Sequence, residues 1–193
     1  MKRYDCLERL AAWTDADVLA VTSLTSNARM WAALCGDRPS FYGLNMGLCL
    51  PFAVGLSLAF PQRKVVALDS DGSLMVDTSS LITAAEVNPS NLVALVFDNE
   101  NYARMGETAT SRVTDLEQMA RGAGVPRTAT LRTPDEFEAA VRPALAESSF
   151  SLFVVKIEPE HERFKSIYDR RSERAMKESF LDAIARLPDY RGD

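Results

Sequence analysis

Three stretches of the chain are apolar and β-branched at nearly every position: Lys64–Leu68, Leu92–Phe97 and Phe150–Ile157. Runs that do not alternate suit strands covered on both faces of a parallel sheet. Shorter stretches at Val18–Thr22, Phe41-Tyr42 and Thr128–Leu131 predict further strands. Helical spacing fills the gaps. Residues 3 to about 13 predict a first helix. A second, capped by Thr25 or Ser26, carries Met30, Trp31 and Leu34 and stops at Gly36. Residues 43–60, GLNMGLCLPFAVGLSLAF, are apolar almost all round and predict a buried helix packed closely on the sheet, with Pro51 in its first turn or at a kink. The stretch between Leu68 and Leu92 is also helical in character. Thr114-Asp115-Leu116-Glu117 predicts a capping box for a helix ending near Gly122 or Gly124. Thr133-Pro134-Asp135-Glu136 predicts a second box, with proline at the first helical position and a helix running to about Ser148. Residues 162–188 predict a charged amphipathic helix. The alternation implies an α/β three-layer sandwich: a mostly parallel sheet of about six strands with helices on both faces. One domain over residues 1–193 is expected, with a helical extension from about 162 to 193.

Composition narrows the function classes. The chain has 193 residues, 47% of them hydrophobic and 25% charged, enough for a substantial core. A net charge of -5 leaves no basic footprint for nucleic acid or an anionic membrane surface. No apolar run approaches the ~20 residues that a membrane span requires. The opening MKRYDCLERL is charged and amphipathic, unlike a secretory leader. Cys6, Cys35 and Cys49 form no CxxC pair, and their odd number argues against a disulfide framework, so a cytoplasmic setting is expected. Cys35, Cys49, Trp13 and Trp31 read as packing residues. The sole histidine, His161, lies in a polar Glu-Pro-Glu-His-Glu run and reads as solvent-exposed.

The candidate chemistry follows two of the strands. One ends in Asp69-Ser70-Asp71-Gly72-Ser73, the other in Asp98-Asn99-Glu100-Asn101. If those strands are parallel neighbours, both clusters share the carboxyl edge of one sheet, where open α/β folds bind ligands. Acids are common in loops after strands, so any one of them alone says little. Together, the Asp71 carboxylate, the Asn99 amide oxygen and one loop carbonyl form the oxygen set that Mg²⁺ takes alongside phosphate oxygens. The N–H groups of Gly72 and Ser73 would take up diphosphate charge.

The DSDGS segment resembles two families. Haloacid-dehalogenase phosphatases would use Asp69 as nucleophile and Asp71 as acid. Their motif opens the chain, however, and Ile157-Glu158-Pro159-Glu160 is a poor match to their later acid pair. The fuller resemblance is to thiamine-diphosphate (TPP) enzymes, over about residues 15–157. Ser70-Asp71-Gly72-Ser73 followed by Asn99 resembles their Gly-Asp-Gly…Asn signature. Leu44-Asn45-Met46-Gly47, with Leu50-Pro51 and Gly55, resembles their Gly-Ser/Thr-Met-Gly segment. Asp98-Asn99 with Tyr102, Gly106 and Thr110 resembles the loop of sulfopyruvate and phosphonopyruvate decarboxylases.

That resemblance implies a set of roles. Asp71, Asn99 and the backbone carbonyl of Asn101 would bind Mg²⁺. Gly72, Ser73, Thr25, Ser26, Asn45 and Tyr102 would join them in holding TPP. Met46 would prop the cofactor, or else merely fill the core. Arg104 would contact an anionic substrate, or else lie solvated on the surface. Four departures bear on the site: Ser70 for glycine, Leu44 for a small residue, Asp77 for asparagine and Ser80 for glutamate. The activating glutamate of TPP enzymes lies on a second domain, so the chain resembles the diphosphate-binding β subunit of a split 2-oxo acid decarboxylase. A pyrimidine-binding α subunit and a homodimeric or hetero-oligomeric assembly are implied. An acetolactate-synthase-like carboligase subunit and a non-catalytic scaffold of the same fold remain alternatives.

Overall fold

The computed structural model describes residues 1–102, 105–159 and 172–190. The elements alternate from the start: α1 (Arg3–Trp13), β1 (Leu19–Ser23), α2 (Ser26–Cys35), β2 (Ser40–Leu44) and α3 (Cys49–Ala59). There follow β3 (Val65–Ser70), α4 (Asp71–Val76), α5 (Ser80–Val87) and β4 (Leu92–Asp98). The last group is α6 (Leu116–Ala123), β5 (Arg127–Leu131), α7 (Pro134–Ala146), β6 (Ser151–Lys156) and α8 (Glu173–Ala185). All six strands are parallel, in the order β2-β1-β3-β4-β6-β5.

Alternation along each strand sends side chains into two separate apolar layers. Val65, Ala67, Leu92, Ala94 and Val96 pack with α3, α5, α6 and α8 on one face. Val66, Leu68, Val93, Leu95 and Phe97 pack with α1, α2 and α7 on the other. Every residue of β4 is buried. Full burial of each large apolar side chain contributes roughly 1.5–3 kcal/mol, which is why the central strands show no polar alternation. The three-layer sandwich expected from the sequence is the one observed.

Several boundaries differ from the sequence reading. Residues 43–60 are not one helix: Gly43 and Leu44 end β2, a turn follows, and α3 begins only at Cys49, with Pro51 in its first turn. Positive φ at Gly43 (73°) and Gly47 (83°) breaks the segment. The cap of α6 is Asp115 rather than Thr114. Its carboxylate accepts the Gln118 N–H at 2.9 Å. The Thr133 capping box forms as expected. Thr25 and Ser26 open α2 without a side-chain cap. The stretch between β3 and β4 is two short helices. Within the expected 162–188 helix, α8 spans Glu173–Ala185 and buries Met176, Phe180 and Ile184 against the domain. The preceding residues 160–171, His161 among them, lie outside the described residues. Trp31, Cys6, Cys35 and Cys49 are buried, and Trp13 stacks on Phe137 at 5.9 Å. Burial pushes the Cys6 and Cys35 thiols up to about 11, so neither is a reactive thiolate.

Candidate functional site

Strand order reverses between β1 and β3, and the loops leaving β1, β2, β3 and β4 converge there on a cavity of about 260 Å³. Its walls are Arg3, Leu24, Thr25, Ser26, Met46, Ser70, Asp71, Gly72, Ser73, Asn99, Asn101, Tyr102 and Met105. A larger apolar groove of about 830 Å³ lies between α3 and α8, remote from both acidic clusters.

Each wall has a local cause. Asp71 begins α4 directly from β3, which fixes its side chain at the strand's carboxyl end. After β4, the Asp98 carboxylate accepts the Glu100 N–H at 3.0 Å and the Asn99 amide oxygen accepts the Asn101 N–H at 3.2 Å. These paired Asx turns, with φ of +59° at Glu100, fold the loop sharply back. Thr108 then donates to Asp71 Oδ2 at 2.8 Å and Thr110 donates to Asp98 Oδ1 at 2.8 Å. The loop thereby ties the two acidic clusters together. On the other side, the Ser73 hydroxyl accepts the Gly47 N–H at 3.2 Å, which anchors the turn that presents Met46. A Cβ on Gly47 would fall 3.1 Å from the Asp77 Cβ. At Gly72 a Cβ would meet the Tyr102 ring at 2.5 Å. Thr25 adopts φ of 70°, a strained backbone for a β-branched residue. That twist turns Thr25 and Ser26 into the cavity wall.

The electrostatics separate the three acids. The Asp98 carboxylate is neutralised by Lys156, whose Nζ lies 2.7 Å away and also 2.7 Å from Glu100. Asp71 is buried without a cationic partner among the described residues. Burial first, and the neighbouring Asp98 charge second, raise it to about 6. Asp69 is also raised to about 6, chiefly by burial. It is not among the cavity walls; Oδ1 accepts the Ser70 N–H, while Oδ2 has no hydrogen-bond partner. A nucleophile must reach substrate, so Asp69 does not suit the phosphatase role.

The sequence-predicted set is therefore largely brought together. Thr25, Ser26, Met46, Asp71, Gly72, Ser73, Asn99, Asn101 and Tyr102 share one cavity. Met46 is half-buried and outside both apolar layers, so it is not core filling. Asn45 is exposed and does not line the cavity. Arg104 lies outside the described residues. Of the departures, Ser70 has an ordinary extended backbone (φ -128°), so no left-handed strain arises. Leu44 packs against the core. Asp77 accepts the Ser79 and Ser80 hydroxyls at 2.5 and 2.6 Å, a local join between α4 and α5. Sequence reasoning missed Arg3, Thr108 and Lys156. Only a tertiary contact identifies them, although Thr108 sits two residues from a position already in the motif.

The cavity fits the group that its residues imply. Among the described residues no cluster of three His, Cys, Asp or Glu could cage a metal. One buried carboxylate beside an amide oxygen and a loop carbonyl is instead the partial set that Mg²⁺ completes with phosphate oxygens and water. A cation there would also offset the unpaired Asp71 charge. No described helix is long and apolar enough to cross a membrane.

Comparison with known proteins gives a concordant result. A family model described as "Thiamine pyrophosphate enzyme, C-terminal TPP binding domain" matches residues 25–155. Sulfopyruvate decarboxylase subunit beta of Methanocaldococcus jannaschii is 29% identical over 96% of this chain and 98% of its own length. Phosphonopyruvate decarboxylase of Streptomyces viridochromogenes is 31% identical over 81% of this chain, which spans only 40% of that protein. Among solved structures, benzoylformate decarboxylase from Polynucleobacter necessarius aligns with a TM-score of 0.73 at 21% identity, over 84% of this chain and 34% of the other. That likeness speaks for the fold.

Proposed function

This chain belongs to the thiamine pyrophosphate enzymes, as their C-terminal TPP-binding domain, and we propose that it is the diphosphate-binding subunit of a split 2-oxo acid decarboxylase. The chain is a TPP-dependent decarboxylase subunit, and the β-subunit relatives imply a partner. The observation that carries the site is the meeting of Asp71, Asn99 and Asn101 from two separate strand ends in one cavity. Those three residues hold Mg²⁺, and the metal together with the Gly72 and Ser73 backbone holds the diphosphate. Thr25 and Ser26 border the same wall, and Met46 supports the organic part of the cofactor.

Bound TPP supplies the electron sink that makes loss of carbon dioxide feasible. This chain's residues do the placing. Thr108 holds the Asp71 carboxylate in one orientation, so the metal position is set before the cofactor arrives. Lys156 occupies Asp98 in an ion pair, which leaves Asp71 as the carboxylate available to the metal. The activating glutamate comes from a pyrimidine-binding partner chain, so the complete site lies between subunits in a cytoplasmic hetero-oligomer. The substrate is a small 2-oxo acid of the sulfopyruvate or phosphonopyruvate kind.

Calorimetry with TPP and Mg²⁺, with and without the partner subunit, tests the reading. Asp71→Ala and Asn99→Ala should each abolish Mg²⁺-dependent binding while the circular dichroism spectrum stays native. Cofactor affinity retained in both variants would overturn the metal assignment. Aldehyde as the reconstituted enzyme's product supports the decarboxylase, whereas acyloin would make it a carboligase.

A further inference from the structure

We propose that Lys156 is a positioning residue of the metal site, bracing all three groups assigned to Mg²⁺ from outside the cavity. Lys156 is not among the cavity walls. It is the in-register partner of Asp98 on β4 and β6, so the sheet itself sets the two side chains on one face. Its Nζ lies 2.7 Å from Asp98 Oδ2 and 2.7 Å from Glu100 Oε1. From these two anions the ties run on to each proposed ligand. Asp98 Oδ1 accepts the Glu100 N–H at 3.0 Å, which fixes the turn that carries Asn99 and Asn101 on either side of Glu100. The Glu100 carbonyl accepts the Thr108 N–H at 3.0 Å, and the Thr108 hydroxyl donates to Asp71 Oδ2 at 2.8 Å. One side chain on β6 thereby braces groups that follow β3 and β4.

The pair is too buried to be a solvated surface contact. The Asp98 side chain is 2% exposed and that of Lys156 21%. An exposed pair contributes little, whereas a buried carboxylate stripped of its cation is driven toward water. That movement releases the Glu100 N–H and slackens the turn. Mg²⁺ is the ion that suffers most, because it demands near-ideal octahedral geometry, whereas Ca²⁺ accepts more oxygens in flexible arrangements. Coulomb's law alone predicts the opposite: a nearby lysine repels Mg²⁺, and its removal should tighten binding. The sign of the effect therefore separates bracing from repulsion. This role rests on the assignment of Mg²⁺ to Asp71, Asn99 and Asn101.

The test is calorimetry of the full-length chain, with its partner subunit and TPP in excess, titrated with Mg²⁺ and separately with Ca²⁺. Lys156→Met should weaken Mg²⁺ binding by about ten- to a hundredfold and Ca²⁺ binding by less. Arg63→Met is the control. It breaks the buried ion pairs of Arg63 with Asp17 and Asp189, at the opposite end of β3 from the cavity. It should lower Tm and leave both affinities within about twofold of wild type. Tighter Mg²⁺ binding in Lys156→Met, or equal losses for the two ions, would overturn the proposal. So would an Mg²⁺ loss that Arg63→Met matches, because general destabilisation would then account for it. If Lys156→Met does not fold, the ¹⁵N-labelled wild-type chain decides. Its Lys156 Nζ resonance should shift on saturation with Mg²⁺ and inorganic pyrophosphate, and an unmoved resonance overturns the proposal. A wild-type chain that takes up no TPP with Mg²⁺ sinks the functional reading and the bracing role with it. A wild-type chain that does, beside a Lys156→Met variant of equal Mg²⁺ affinity, sinks the bracing role alone.

Discussion

Gly72 is under the tightest steric constraint in the cavity, because a β-carbon there would lie 2.5 Å from the edge of the Tyr102 ring. Gly72→Ala should therefore displace the loop after β4 and weaken TPP binding by at least about tenfold. Adding Tyr102→Ala should recover stability but not affinity, because Tyr102 is itself a cavity wall, and parallel thermal melts and calorimetry would show the split. Asp71 makes a second prediction, with its sign set by linkage. Its carboxyl is raised from 3.8 to about 6, so the fold binds its proton more tightly than the unfolded chain does. The resulting stability is complete below about pH 4 and is lost as pH rises through 6. In metal-free chain, Asp71→Asn should be more stable than wild type at pH 8, by up to about 3 kcal/mol. The difference should vanish near pH 4 in urea titrations run across that range. At this scale the sequence showed the residues that follow strands, since strand ends announce themselves: Asp71, Gly72, Ser73 and Asn99. It did not show Arg3. A charged residue on an amphipathic helix reads as solvated, and only the packing of α1 across β4 brings it under Phe97 and into the wall.

Among the elements, β3, β4 and β6 were legible because strands buried on both faces need unbroken apolar runs. The start of α3 was not. Residues 43–48 are as small and apolar as the helix that follows, and hydrophobicity cannot distinguish a strand end, a tight turn and a buried helix. The backbone at Gly43 and Gly47 draws that line. The cap of α6 was placed one residue early for a similar reason: Thr114 and Asp115 both carry cap chemistry, and the tertiary approach of the chain selects Asp115. Asp115→Ala should cost about 1 kcal/mol, a fall of a few degrees in Tm. Thr114→Ala should change Tm by less than half as much. Equal effects would return the cap to Thr114.

Across the whole molecule, the two apolar layers account for why the three-layer sandwich could be read from alternation alone. The partner could not, because a surface that waits for another chain shows no pattern distinct from solvated surface. The lone chain should show no decarboxylase activity, and mixing with a pyrimidine-binding subunit should restore it in a titration with a defined stoichiometric end point. The lateral ties beneath the cavity have one more consequence. Leu19 pairs with Val65, and Asn27 joins the Leu68 carbonyl across 41 positions of sequence. The cavity therefore cannot assemble from any one local segment. Loop-closure entropy must be met before the cofactor finds any of its ligands. Fragments ending before β4 should bind nothing. In refolding from urea, cofactor binding should appear only with the last kinetic phase, which makes the site a reporter of when this sheet closes.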